Sequence, residues 1–204
     1  MPSTTRQMTS EPLSCWTALR ADTFRQYGHS TAGALIRGFC TRRTFRAVAT
    51  LRLCQAAASG YPWRLTLPLC KLAHRVATRR AGMELPWRSQ IGAGIALTHG
   101  WGLVVNEGAR IGHNVTLFHG VTLGRRDRIA ATGERLTEYP TIEDEVWVGP
   151  HAVIVGGVTI GTGSRIAAGA FVTTDIPAHS VVQGNPACII KQDCVPDVMN
   201  RVEL

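Results

Sequence analysis

The sequence predicts a mainly β protein, a parallel β-helix preceded by a smaller α-helical region. Three observations carry this prediction. Aliphatic residues recur every six positions after residue 90, the first 80 residues follow the spacing of amphipathic helices, and one long polar segment interrupts the six-residue pattern. Because the two periods require different backbone geometries, the chain divides into two structural regions.

The first two candidate helices are defined by their ends. Ser14 caps a helix that stops at Gly28, and Thr41 caps a second helix. The second helix is expected to turn four apolar residues inward: Phe45, Val48, Ala49 and Leu53. Four arginines of the same helix are expected to face mostly solvent: Arg42, Arg43, Arg46 and Arg52.

A third helix leads to the boundary between the two regions. It is broken near Pro68 and runs to about Arg80, and Gly82 marks its end. The domain organisation follows: a helical region (1–82), a β-helix (83–190) with a protruding loop (125–141), and a C-terminal tail (191–204).

The six-residue pattern has an aliphatic leader in each repeat. Six consecutive repeats run from IEDEVW to VTTDIP, and shorter runs precede them. The leaders are Ile91, Leu97, Leu103, Ile111, Leu117, Leu123, Ile142, Val148, Ile154, Ile160, Ile166 and Val172. A parallel β-helix fits this period, because three sixes make one triangular turn of chain whose leaders stack inward.

The segment RRDRIAATGERLTEYPT, residues 125–141, lacks the aliphatic period. Since a polar segment of this length cannot line the core, we expect it to leave the coil as a loop. Long loops on rigid scaffolds commonly carry function.

Positive charge is concentrated in the N-terminal region. Residues 1–90 carry 14 Lys and Arg against 3 Asp and Glu, whereas residues 91–204 carry 8 against 11. A solvated helix face is the plainest interpretation, and contact with an anionic membrane surface is an alternative. Nucleic acid is not expected as a partner, because the basic stretch has neither an aromatic stacking motif nor a zinc pattern.

The cysteines and the hydropathy pattern favour the cytoplasm. The six cysteines form no CxxC pair, and no signal-peptide pattern opens the chain. The most apolar N-terminal stretch, YPWRLTLPLCKLAHRVATRR, is interrupted by charged residues and proline. We therefore expect no transmembrane helix, while peripheral attachment at the inner membrane stays open.

Several features together resemble one enzyme family. They are the hexads, the segment LTHGWGLVVNEGARIGHNVTLFHGVTLG, the interrupting loop and the closing VVQGNPACII. The resemblance is to the hexapeptide-repeat acyltransferases, in the branch of the serine acetyltransferases and the polysaccharide O-acetyltransferases. It covers roughly residues 80–190, and WTALRADTFRQYG is similar more loosely. It implies a left-handed parallel β-helix that assembles as a homotrimer and binds acetyl-CoA as acyl donor, and leaves open whether two trimers pair.

The resemblance assigns the general base to His99 in LTHGWG. Acetyl transfer to an alcohol requires removal of the hydroxyl proton, which a neutral imidazole performs near neutral pH. The family orients this histidine with an upstream carboxylate, whose position Glu84 occupies. The alternatives are a corner histidine bonded to backbone and a solvent-exposed glutamate at the domain junction.

Two departures from the serine enzymes bear on the acceptor. The Asp before their histidine is Thr98 here, and the Arg-His of their loop is Glu138 and Tyr139. A carboxylate in place of the arginine should repel serine's own carboxylate. We therefore expect an O-acetyltransferase that acts on a carbohydrate, a bacterial surface polysaccharide or its precursor. The cleft would be lined by Thr98, Trp101, His119, Glu138 and Tyr139.

Donor contacts are also implied by the resemblance. They fall at Gly149, Pro150, Arg165, Ala167 and Ala168, with Pro186 near the adenine end of the groove. Backbone amides of small-residue turns and a cation suit the amides and phosphates of acetyl-CoA. No metal site is expected, because the histidines lack a ligand spacing; His113 and His151 are expected to face outward.

Two other functions stay open. The first is serine O-acetyltransferase activity in cysteine biosynthesis, for which the same base would serve. The second is a catalytically inactive β-helix that acts as a scaffold.

Overall fold

Helices form the N-terminal region, and strands follow from residue 90 onward. The computed structural model describes residues 14–60 and 62–204. The helices are α1 (Cys15–Tyr27), α2 (Ala32–Thr41), α3 (Arg43–Ala58) and α4 (Leu67–Ala81), with a 3₁₀ turn (Trp63–Thr66) before α4. None of the helices in these two ranges combines the length and the apolarity needed to cross a membrane.

The ends of α1 and α4 agree with the sequence. Ser14 Oγ accepts a hydrogen bond from the Thr17 amide at 3.1 Å, which caps α1. Gly28 ends α1 and Gly82 ends α4, both in the left-handed conformation. Pro68 lies in the first turn of α4, where its missing amide proton breaks no helical bond.

The prediction for the second helix was partly wrong. Thr41 ends α2, a helix that the sequence analysis did not predict, and Arg42 precedes α3 without a side-chain cap. Leu53 is 45% exposed instead of inward-facing. Arg52 is 3% exposed instead of solvated, because it is paired with a buried carboxylate of α1.

The strands form three parallel faces of a prism. The first face contains β1 (Gln90–Ile91), β4 (Arg110–Ile111), β9 (Thr141–Ile142) and β12 (Thr159–Ile160). The second contains β2 (Ala96–Thr98), β5 (Thr116–Phe118), β10 (Trp147–Val148), β13 (Arg165–Ile166), β15 (Val181–Gln183) and β16 (Cys188–Lys191). The third contains β3 (Val104–Val105), β6 (Thr122–Gly124), β11 (Val153–Val155) and β14 (Phe171–Val172). This is the predicted left-handed parallel β-helix.

The aliphatic leaders fill the prism, as predicted. In register on the second face, Leu97 pairs with Leu117, Leu117 with Val148, and Val148 with Ile166. All twelve leaders are 9% exposed or less, and Ile160 and Ile166 are fully buried. Each buried aliphatic side chain contributes roughly 1.5–3 kcal/mol, so this column is the main source of stability.

The interrupting segment forms an antiparallel hairpin. Its strands are β7 (Arg126–Ile129) and β8 (Arg135–Glu138), paired from Arg126 opposite Glu138 to Ile129 opposite Arg135. Neither strand belongs to a face of the prism.

Buried polar contacts fix the helical region on the first turns of the prism. Arg52 Nε lies 2.9 Å from Asp22 Oδ2, and the Asp22 carboxylate accepts from the Ile95 amide at 3.0 Å. Arg52 also donates to the carbonyl oxygens of Ile91 and Gly92 at 2.8 and 2.7 Å. Burial raises the pKa of Asp22, and the Arg52 guanidinium opposes this rise. The helices therefore hold a defined position against the start of the β-helix.

The C-terminal tail returns along the prism to the helices. Asn114 Nδ2 donates to the Val202 carbonyl at 2.8 Å, and the Val202 amide donates to Asn114 Oδ1 at 3.1 Å. Asn200 Nδ2 donates to the Arg25 carbonyl at 3.2 Å. Residues near both ends of the described chain thus meet on one side of the prism.

Candidate functional site

His99 lies on the prism edge between the second and third faces. It follows β2, where Leu97 points into the core, and its φ of 63° turns the chain toward β3. The His99 side chain is exposed, whereas Gly100 beside it is buried. The corner therefore presents the imidazole to the outside instead of packing it in the core.

Three histidines stack on successive turns of this edge. The ring centroids of His99 and His119 are 5.8 Å apart, and those of His119 and His151 are 5.0 Å apart, both edge-on. The Nδ1 atom of His119 is buried and has no hydrogen-bond partner among residues 14–60 and 62–204. The His99 edge, defined by the corners that follow β2, β5, β10 and β13, thus carries a column of imidazoles.

His113 and His151 were both expected to face outward, and the structure shows this for His151 alone. His151 is exposed. His113 is half-buried, because its Nδ1 accepts a hydrogen bond from the Ala93 amide at 3.1 Å.

Arg43 joins the helical region to the His99 edge. Its guanidinium donates to the His99 carbonyl at 3.1 Å and lies 4.2 Å from the Trp101 ring centroid. Trp101 in turn packs on Gly82, where any added Cβ would collide with the indole. Arg43 was expected to face mostly solvent, since no periodic signal reports a contact between residues 56 positions apart.

Glu84 lies at the start of the third face, one turn below Val104, with which it pairs. The residue is exposed, and no hydrogen bond joins it to His99 in the part of the chain that the structure describes. The adjacent turn is held by a bond from the Gly102 amide to the Gly82 carbonyl at 2.8 Å. Its role as the orienting carboxylate stays a prediction.

The predicted donor contacts follow the same edge. Gly149 and Pro150 form the corner after β10, and Ala167 and Ala168 form the corner after β13. The Gly169 amide donates to the Pro150 carbonyl at 2.8 Å, which stacks these corners. The corner after β15 contains Pro186. The residues predicted to contact the donor therefore lie on the same edge as His99, and their contacts with it stay a prediction.

Arg165, the predicted cation for a phosphate, lies on β13. Its guanidinium covers the Trp147 ring at 4.5 Å from the centroid and pairs with Asp197 at 3.1 Å. Since the Arg165 side chain is half-exposed, the pair stays accessible to solvent and worth little stability.

Glu138 and Tyr139 lie on a different edge, between the third and first faces. The Glu138 side chain approaches Gly157, and the Tyr139 ring packs over Gly108. Thr98, Trp101 and His119 belong to the His99 edge. One protomer therefore does not bring the five expected acceptor residues together.

Glu138 is paired within the hairpin. Arg128 donates to it at 2.5 Å and Arg126 lies 3.4 Å away, and the hydrogen bond from Arg128 lowers the pKa of Glu138. Two cations surround one carboxylate, so the local charge is net positive. Glu138 was expected to repel the carboxylate of serine. Because two arginines neutralise its charge, the structure does not support that repulsion.

An open cavity of about 690 Å³ lies beside His99 on the side of the helices. It is lined by the end of α1, the junction of α2 and α3, and β2. Among the described residues, no three His, Cys, Asp or Glu side chains lie close enough together to hold a metal ion.

Comparison with known proteins identifies the family. Residues 139–174 match the family model for bacterial transferase hexapeptide (six repeats). The chain is 43% identical over 110 residues to serine acetyltransferase 2 of Arabidopsis thaliana, covering 54% of this chain and 32% of that protein. It is 33% identical over 148 residues to the serine acetyltransferase of Helicobacter pylori, covering 65% of this chain and 84% of that protein.

A solved structure shows the same architecture. The structure of a serine acetyltransferase in complex with coenzyme A from Brucella abortus strain S19 superposes with a TM-score of 0.67 and 26% identity. The match covers 89% of this chain and 68% of that one. The chain spans about a third of the length of the first curated relatives that it matches.

These comparisons correct one expectation and fix the family. The expected carbohydrate acceptor is wrong, because the relatives and the solved structures are serine acetyltransferases. The hexapeptide repeat, the β-helix and the relation to the Helicobacter protein agree with one another. The chain therefore belongs to the hexapeptide-repeat acyltransferases, in the branch of the serine acetyltransferases.

Proposed function

We propose that this protein transfers the acetyl group of acetyl-CoA to the hydroxyl of L-serine. The observation that carries the proposal is the exposed His99 on an edge of small-residue corners, in a chain related to serine acetyltransferases over 84% of one relative's length. This geometry does not favour the alternative of an inactive scaffold, because a scaffold needs no exposed imidazole at this corner.

His99 acts as the general base in this proposal. Its imidazole takes the proton of the serine hydroxyl as the oxygen attacks the thioester carbonyl, and the C–S bond then breaks. The imidazolium returns the proton to the departing thiolate. The products are O-acetylserine and CoA. Glu84, which pairs with Val104 at the start of the third face, is the candidate carboxylate to stabilise the imidazolium.

The donor would lie along the His99 edge. Gly149, Pro150, Ala167 and Ala168 add little bulk along this edge, and Gly169 has open space where a Cβ would stand. The thioester would then meet His99 while the phosphates extend toward Arg165 and Pro186.

A homotrimer would complete the site, because Glu138 and Tyr139 lie on another edge of each protomer. The neighbouring copy's hairpin would face Thr98, Trp101 and His119. Since acetyl-CoA is an intracellular metabolite, the proposal places the enzyme in the cytoplasm; contact of its basic N-terminal half with a membrane stays a prediction.

The test is release of CoA thiol from acetyl-CoA, followed with a thiol reagent. We expect release to depend on L-serine and His99→Ala to lower kcat/KM by about 10²- to 10⁴-fold, the usual contribution of a general base. His179→Ala is the matched control, since His179 is also exposed with positive φ but lies on another edge. Serine-independent release, or an active His99→Ala variant, would contradict the proposal.

A further inference from the structure

The cavity beside His99 is strongly basic. Four arginines line it, Arg37, Arg42, Arg43 and Arg46, and its lining contains no Asp or Glu. Clustered guanidinium groups repel one another, and a bound anion relieves this repulsion. The cavity therefore favours a negatively charged ligand next to the proposed base.

Two of these arginines are already committed to the protein. Arg43 donates to the His99 carbonyl and stacks on Trp101. Arg46 donates to the carbonyl oxygens of Phe39 and Cys40 at 2.8 and 2.9 Å. Their guanidinium groups therefore form part of the cavity wall and already use hydrogen-bond donors on the protein itself.

Arg37 and Arg42 are available to a ligand. Both are exposed, and within residues 14–60 and 62–204 neither makes a side-chain hydrogen bond or an ion pair. Arg42 lies 5.9 Å from the Tyr27 ring centroid. Tyr27 also lines the cavity, and its hydroxyl is buried without a partner among those residues. An oxyanion between Arg37 and Arg42 would give both guanidinium groups a partner.

The position of the cavity assigns it to the acceptor. The corners predicted to bind the donor follow the His99 edge away from the helices, on three further turns of the prism. Since neighbouring turns are about 4.8 Å apart, the phosphates of CoA would lie roughly 14 Å from His99. The cavity opens on the opposite side, toward α1, α2 and α3.

We propose that Arg37 and Arg42 bind the carboxylate of the acceptor in this cavity. The inference rests on the proposed function and adds specificity-determining residues from the helical region. It also accounts for Glu138, since a carboxylate-binding arginine at that loop position is not needed if the helices supply two.

The test compares the double variant Arg37→Ala/Arg42→Ala with a matched control, Arg20→Ala/Arg75→Ala. The control removes two exposed arginines, one on α1 and one on α4, that lie outside the cavity. It therefore changes the net charge by the same amount. We expect the KM for L-serine to rise roughly 10- to 100-fold in the first variant, the usual effect of losing charged hydrogen bonds, and to stay unchanged in the control. L-serinamide, which lacks the carboxylate, should show no difference between wild type and either variant. Equal KM values for L-serine would overturn the proposal.

A titration with malonate, a carboxylate probe, tests the site without turnover. At fixed ionic strength we expect the calorimetric Kd to rise about tenfold or more only in Arg37→Ala/Arg42→Ala. Unchanged binding, or competitive displacement of malonate by CoA, would overturn the assignment to the acceptor. If malonate binding needs both arginines but L-serine is not acetylated, the proposed function fails and the carboxylate site stands.

Discussion

His99 illustrates how the corners of the prism select residues. Its positive φ is shared by other non-glycine residues of corners, among them Asn114, His151 and His179. Such a conformation costs of order 1–3 kcal/mol for a side-chain-bearing residue and persists because the neighbouring strands hold it. At His99 the same strain directs the imidazole outward. A corner histidine can therefore be an active group without disturbing the column of aliphatic residues beneath it.

His119 gives a prediction at the residue scale. Its ring meets His99 edge-on, and its buried Nδ1 lacks a partner in the described part of the chain. If His119 positions His99, His119→Ala should lower kcat about tenfold with little change in the KM for acetyl-CoA. The change should also shift the pH profile of kcat, which a loss of stability alone would not do. A kcat and a pH profile equal to those of wild type would refute the positioning role.

Helix α4 connects the helical region to the prism through a buried histidine. His74 Nδ1 lies 3.0 Å from Thr50 Oγ1 on α3, and Nε2 lies 2.7 Å from the Leu85 carbonyl at the start of the prism. Burial lowers the pKa of His74 below its ordinary value of 6.5. The neutral imidazole is therefore part of the contact between these elements.

A pH prediction follows for this contact. Below pH 6.5 the unfolded chain binds a proton at residue 74 that the folded chain resists, so the free energy of unfolding should fall as pH decreases toward the lowered folded pKa. The slope from this group cannot exceed about 1.4 kcal/mol per pH unit. Urea unfolding of wild type and His74→Gln at several pH values would measure it. We expect the variant to lose this part of the slope and His179→Gln to keep it; an unchanged slope in His74→Gln would show that other groups dominate.

At the scale of the whole molecule, two edges of the prism separate the proposed base from the hairpin residues that were expected to line the acceptor. His99 belongs to one edge, and Glu138 and Tyr139 belong to another. A threefold ring would bring one copy's hairpin to the next copy's histidine, because its interfaces join unlike surfaces of neighbouring copies. A trimer of the 22.1 kDa chain would have a mass of about 66 kDa.

Mixed assemblies test this arrangement. If Tyr139 acts in the neighbour's site, His99→Ala and Tyr139→Ala should each be weakly active alone. Coexpressed in equal amounts, they should recover about one quarter of wild-type activity, since one interface in four joins two intact halves. Light scattering on the same samples would report the mass. Recovery without a trimer, or a trimer without recovery, would contradict the shared site.

The sequence alone determined the architecture and singled out His99 as the candidate base. The inward position of each leader from Ile91 to Val172 can be read from the six-residue period. The period is local, because one turn of the prism consists of three six-residue repeats and no distant partner is needed to recognise it. Ser14 and Gly28 likewise mark helix ends through contacts within one turn. Local periodicity and caps were therefore sufficient for the fold class, and the family motif pointed to His99.

Tertiary structure decided what surrounds that histidine. Arg52 and Arg43 were expected in solvent, yet one is buried against Asp22 and the other donates to the His99 carbonyl. Glu138 suggested repulsion until its arginine partners were visible. The physical reason is the same in each case: charged side chains are long, and their partners lie in other elements, so neither period nor composition encodes whether a charge is free, paired or facing a cavity.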